Sequence, residues 1–216
     1  MSHHRLRLRI CLACVLGAAA PWLTDVIAQN TSEVVSKTNK VAGLTLGLVP
    51  GEVVGQEQVI RGLIRIGPDH EFVFVVPDGL RAQTLPGGSV VMVSRDMRYS
   101  VSIRLLEPSP ASSRLKETLR EWIASQYTQV SHLEEITSTV AQHEGVGFQF
   151  RQDLPQVGGR ILSILWVPFK AGVIEFALNA DEKSASTGRG PFDMVLLTFR
   201  SNELGRLEII KRSDKS

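Results

Sequence analysis

Cysteine is nearly absent from this chain. Its 216 residues hold two, Cys11 and Cys14, and both fall in an N-terminal segment built like a cleavable leader. With that segment gone no cysteine would remain, which excludes disulfides, zinc–thiolate sites and a cysteine nucleophile together. Long apolar runs are also missing: after the leader nothing approaches the roughly 20 residues that a membrane span requires. No block of like charge, no internal repeat and no low-complexity tract interrupts the rest.

The leader is read from its parts. Arg5, Arg7 and Arg9 precede an apolar stretch from Ile10 to Ala20, Pro21 breaks it, and Val26-Ile27-Ala28 supplies a cleavage site before Gln29. A basic start, a short apolar core and small residues at the cut define a secretory signal peptide. Residues 1–28 are therefore expected to be removed and the mature chain to be periplasmic or secreted, as in a bacterial exported protein. Two readings compete. A retained anchor would need a longer apolar run, and acylation of Cys14 after "CLA" would leave too few apolar residues between Arg9 and the modified cysteine.

Removing the leader changes the charge argument. The whole chain has 24 basic and 22 acidic residues; the leader takes three arginines and Asp25, leaving 21 of each. The sequence pI of about 8.7 thus belongs largely to the leader. It gives no reason to expect nucleic acid or an anionic lipid surface as a partner.

Gln29 to Lys40 is polar and without period. Val41 to Gln58 is apolar, yet Gly43, Gly47, Pro50, Gly51 and Gly55 interrupt it too often for a helix. Residues 29–58 read as a linker or extended arm, 59–210 as one domain and 211–216 as a tail. Strand signals begin with "VIRGLIRI" and "EFVFVV", separated by Gly67-Pro68-Asp69 and closed by the turn Pro77-Asp78-Gly79. "SVVMVS" and "YSVSIRLL" follow. In the second, Tyr99, Val101, Ile103 and Leu105 share one face while Ser100, Ser102 and Arg104 share the other.

A helix is expected from Arg114 to about Gln129, capped by Ser112 or Ser113, with Leu115, Leu119, Trp122, Ile123 and Val130 on its apolar side. Four strands come next, "EEITSTVAQ", "EGVGFQFRQ", "RILSILWVPF" and "GVIEFALNA". Their short connections suit antiparallel hairpins, because a parallel crossover needs a dozen or more residues. Ile161 to Val167 is apolar on both faces apart from Ser163, as a central strand covered twice would be. In "STGRGPFDMVLLTFR" a flexible loop is expected to end at Gly190, with Pro191 as the first helical residue and Asp193 near the positive end of the dipole. Phe192, Val195, Leu196 and Phe199 form the buried stripe, widened by Met194 and Leu197. The run "GRLEIIKR" then reads as an edge strand or a trailing end.

The strand ending "FVFVVPDGL", the long helix after two strands, "GVGFQF", "RILSILWVPFKAGVIEFALNA" and the closing "FDMVLLTFRS" resemble the PsbP-like and DcrB-like superfamily over roughly Gly67 to Ser201. The resemblance implies an α+β fold, an antiparallel sheet with helices on both faces in an α/β/α sandwich. It also implies binding, assembly or accessory work without a shared catalytic constellation. On that reading the protein is not an enzyme, and its partner is another exported or membrane protein.

The residues themselves offer no catalytic, cofactor or metal site. His70, His132 and His143 lack the i, i+4 spacing of a helical metal site. There is no G-x-S-x-G elbow, and "PGGS" at Pro86–Ser89 reads as a hairpin turn. Glu134 and Glu135 are strand neighbours that point to opposite faces. Trp122 and Trp166 read as core. Gly188-Arg189-Gly190 has the look of a phosphate cradle, but Pro191 removes a donor, Asp193 occupies the anion's place and the P-loop pattern is missing. The alternative, a small-ligand-binding protein or a hydrolase, would need a site assembled from scattered residues. N-terminal sequencing of the exported protein should start at Gln29; a diacylglyceryl group on Cys14 would overturn the leader reading.

Overall fold

A computed structural model describes residues 44–54, 57–67, 69–86, 88–155 and 158–201. The leader, the polar stretch 29–40 and "GRLEIIKR" lie outside these residues. Among the described residues eleven strands and two helices follow one another as β1 (Leu44–Val54), β2 (Glu57–Ile66), β3 (His70–Val75), β4 (Leu80–Leu85), β5 (Ser89–Ser94) and β6 (Tyr99–Leu105). Then come α1 (Leu115–Gln126), β7 (Val130–Val140), β8 (His143–Leu154), β9 (Gly158–Phe169), β10 (Gly172–Asp181), α2 (Ala185–Thr198) and β11 (Arg200–Ser201).

The strands form two antiparallel sheets, not the single one expected. Seven strands run in the order β4-β5-β6-β10-β9-β8-β7, and four in the order β1-β2-β3-β11. β8–β9 and β9–β10 are the hairpins that their short connections implied. β9 and β10 lie inside the larger sheet, and Leu162 to Val167 is buried on both faces, as the two-sided apolar pattern required.

Alternation along β9 and β10 divides the core in two. Leu165, Val167, Ile174, Phe176 and Leu178 share a cluster with Phe192, Val195 and Leu196 of α2 and with Ile64, Phe72 and Phe74 of the small sheet. Ile164, Trp166 and Val173 join Leu115, Leu119 and Ile123 of α1 in a second cluster. Two aromatic layers reinforce the first: Phe199 stacks on Phe72 and meets Phe176 edge-on, with centroids 5.0 and 4.9 Å apart.

Several local expectations need correction. Leu44–Val54, expected to belong to an extended arm, is a strand paired with β2 from Leu44↔Ile66 to Val54↔Glu57. Pairing with β2 holds it extended in spite of Gly47, and β2 has a close fit of its own at Gly62, where a Cβ would lie 2.3 Å from the Phe74 ring. β4, "LRAQTL", carried no strand signal in its own composition and owes its state to pairing with β5. α1 stops at Gln126, and Val130 belongs to β7. A 3-10 turn over Ser112–Arg114 precedes α1, and neither serine makes a side-chain cap there. Trp122 is half-buried at the edge of its cluster and does not fill its centre.

The largest correction concerns α2. The helix begins at Ala185, directly after a 3-10 turn over Glu182–Ser184, so no loop separates it from β10. The small residues that suggested a loop instead let the helix approach the sheet. A Cβ at Gly188 would sit 3.1 Å from both Leu178 Cδ1 and Tyr99 Cγ. Pro191 lies inside the helix, where it removes one backbone hydrogen bond. Met194 and Leu197 face outward, Leu197 at 75% exposure. At the C-terminus Thr198 Oγ1 receives the Val75 N–H at 3.0 Å, tying α2 to β3.

One end of the small sheet gathers Leu44, Ile66 and His70 in register, and Ser201 pairs with Phe72 beside them. The β1–β2 hairpin runs from there to the opposite end. Because Leu119 is fully buried and Glu121 exposed, Leu119→Ala should destabilise the fold by about 2–5 kcal/mol and Glu121→Ala by less than about 0.5 kcal/mol. Urea denaturation checks both; equal effects would mean that α1 does not dock as described.

Candidate binding groove

Burial falls steadily along the inner face of the β1–β2 hairpin. Leu44 is 2% exposed and Ile64 fully buried, whereas Leu48 is 53% and Ile60 40% exposed. The hairpin outruns β3, whose pairing with β2 ends at the Val76 N–H to Ile60 carbonyl bond of 2.9 Å. Past that point the chain turns through Pro77–Gly79, with the Leu80 N–H bonded to the Pro77 carbonyl and Gly79 at φ +78°, a conformation only glycine adopts without strain.

The turn leaves an open groove of about 400 Å³ between the hairpin and β4. Leu48 and Ile60 form one wall, Leu80 and Ala82 the other, and Val76 to Gly79 close one end. Leu80 and Ala82 pack on the first core cluster, so that wall is rigid. Exposed Asp78 also lines the groove, and exposed Arg81 borders it on β4, where strand alternation turns its side chain to the other face from Leu80 and Ala82. The alternation of Leu44, Leu46 and Leu48 was present in the sequence, but Gly43, Gly47, Pro50 and Gly51 in and around it masked the strand.

A second polar feature lies under α1. Glu175, 5% exposed, accepts two hydrogen bonds from Arg104, from Nε at 2.6 Å and Nη2 at 2.9 Å. It also accepts the Trp166 Nε1–H at 2.9 Å. The guanidinium lies 5.3 Å from the Trp122 ring, and Trp122 touches Trp166 and Tyr127. Burial alone would lower the Arg104 pKa, but the charge and hydrogen bonds of Glu175 outweigh it and hold it above the ordinary value. Burial raises the Tyr127 pKa well above the usual tyrosine range, the Glu175 carboxylate adds to that, and Arg104 offsets part of it. The bidentate pair satisfies both carboxylate oxygens, so the cluster is a closed structural lock on three strands and a helix. It leaves no group poised for chemistry.

The remaining sequence candidates are scattered. His70 starts β3, His132 sits at the β7 bulge with φ +53°, and the His143 ring packs 4.7 Å from Phe169. Among the described residues no three His, Cys, Asp or Glu side chains gather to hold a metal, and no helix is long and apolar enough to cross a membrane. Glu135 pairs with Lys116 at 2.6 Å. Gly188-Arg189-Gly190 lies inside α2, where backbone N–H groups are committed to carbonyls one turn earlier. Arg189 is engaged by Asp193 at 3.0 Å and reaches Gln149 Oε1 at 3.5 Å. The cradle geometry is therefore not formed.

Neither a family model nor a curated protein matches the chain. Solved structures similar to it include cyanobacterial PsbP (CyanoP) from Synechocystis sp. PCC 6803, 14% identical, covering 77% of this chain and 97% of its own, with a TM-score of 0.43. LpqN, involved in cell envelope biogenesis of Mycobacterium tuberculosis, is 10% identical over 66% of this chain and 91% of its own, with a TM-score of 0.40. A protein of unknown function from Pseudomonas aeruginosa, PA94, is 9% identical over 70% and 92%, with a TM-score of 0.38. The first of these bears the family name to which the sequence resemblance pointed.

The chain has two tyrosines, so the Tyr127 shift can be read directly. A raised pKa favours the neutral phenol in the fold; the stability it carries is present below the ordinary tyrosine value near 10 and is lost as pH rises through the folded value. Alkaline absorbance titration should show a late phenolate step that vanishes in Tyr127→Phe. A single step near pH 10 in the native protein would contradict the burial of this group.

Proposed function

We propose that the chain is an exported, non-catalytic accessory protein that binds another exported or membrane protein through the groove between the β1–β2 hairpin and β4. The exposure of Leu48 and Ile60 on a hairpin face whose Leu44, Ile64 and Ile66 are core carries this reading. Apolar side chains in regular alternation cost solubility when left open to water, and here they lie beside a rigid wall and under a rim of polar groups. That combination suits a partner's surface better than a small substrate, because the groove is open and has no converging acid, base or nucleophile among its lining residues.

Two finer points belong to the same proposal. The leader directs the chain to the exported compartment, where a cysteine-free fold is indifferent to the redox state. The large sheet is read as the middle of a helix–sheet–helix sandwich, α1 on one face and α2 on the other, an assignment supported by the two separate clusters that the helices join.

A photoreactive residue placed at Leu48 should give a discrete cross-linked adduct in cells that express and export the protein, and the same residue at Glu121 should give none. Adducts at neither position, or equal patterns at both, would overturn the groove as the binding surface.

A further inference from the structure

The two outer strands of the large sheet differ in a way that points to how the groove is used. β7 is guarded. A bulge between Ser131 and Glu134 breaks its register with β8, His132 takes φ +53° there, and Glu134 and Glu135 place charge along the strand. Bulges and charges are the devices by which sheets block addition of another strand. β4 has no bulge: its pairing with β5 runs unbroken from Leu80↔Ser94 to Leu85↔Ser89. Among the described residues nothing pairs with its outer edge.

β4 also has two chemically distinct faces. Leu80 and Ala82 point to the core and groove side, while Arg81 and Gln83, both exposed, alternate with them on the other side. Near the Leu80 end, Arg81 and Arg95 are exposed with no ion pair among the described residues, whereas Arg98 is met by Asp96 at 3.6 Å. Asp78 is the acid nearest along the chain to Arg81, so cationic charge is in excess beside this edge.

Building on the proposed protein-binding role, we infer that the groove's occupant is an extended segment of the partner that adds to β4 as a further strand of the large sheet. Its side chains alternate between apolar and acidic. The apolar ones enter the groove against Leu48, Ile60 and Leu80, and an acidic one meets Arg81 on the opposite face. Backbone pairing supplies the affinity and the alternating side chains supply the selection, as in other strand-addition interfaces. A cross-strand pair of opposite charge favours this register over its one-residue slip, which would turn acids into the groove.

The test uses a displayed library of random peptides selected on the mature protein, followed by amide hydrogen exchange with the winning peptide. Selected sequences should alternate apolar and acidic residues. The peptide should slow exchange at every second amide of β4, and both Arg81→Glu and Leu48→Ser should weaken it at least tenfold while leaving the melting temperature unchanged. A peptide that perturbs Leu48 and Ile60 but leaves β4 exchange untouched would overturn strand addition and keep the groove as a docking surface. Selection of no peptide, or of peptides without alternation, would overturn the inference as well. In that event the cross-link at Leu48 still decides whether a folded partner binds there.

Discussion

The pairing of β6 with β10 holds the molecule together. Residues Tyr99–Leu105 align with Ile174–Ala180, and this is the sole ladder that joins the β4–β6 half of the large sheet to the β7–β10 half among the described residues. Every other ladder in that sheet connects strands adjacent in sequence. Within that sheet the seam is therefore the costliest ladder in loop-closure entropy, and the chain places a bidentate ion pair on it. Arg104 and Glu175 face each other across the ladder and make two charge-assisted hydrogen bonds. Trp166 on β9 extends the network one strand further. Removing Arg104 would strand the buried Glu175 carboxylate, which is a far larger loss than the net worth of the pair.

Much of this architecture was legible because side chains on a sheet alternate with period two. In β6 the period is one of polarity and not of burial: Val101 and Ile103 are fully buried on one face, and Ser100 and Ser102 on the other are buried as well, because the strand is covered on both sides there. The long apolar run of β9 revealed a central strand for the same reason. What could not be read was state imposed by a neighbour. β4 is a strand because β5 lies beside it, and β1 is a strand in spite of its glycines because it pairs with β2 along its length. The start of α2 was hidden by residues whose smallness has two opposite meanings. Glycine and serine loosen a free chain, but against Leu178 and Tyr99 they are what allows a helix to come close.

The candidate site was legible only in part, and the reason is similar. The eye goes to residues that carry chemistry, such as histidines, the Gly-Arg-Gly turn and the acidic pair, and the structure disperses all of them. Leu48 and Ile60 are ordinary apolar residues within periodic strands and would normally be counted as core. Their significance comes from the length of β1 and β2 relative to β3, a quantity that depends on where the chain turns at Pro77.

That mismatch in length also sets a direction. Leu44 and Ser201, through which the described domain connects to the rest of the chain, lie at one end of the small sheet, and the hairpin leads to the other. At about 3.3 Å per residue, the span from Leu44 to Val54 carries the hairpin roughly 30 Å away from them. Leu48 and Ile60 lie part-way along that span, so the groove stands apart from both places where the described strands join the rest of the chain.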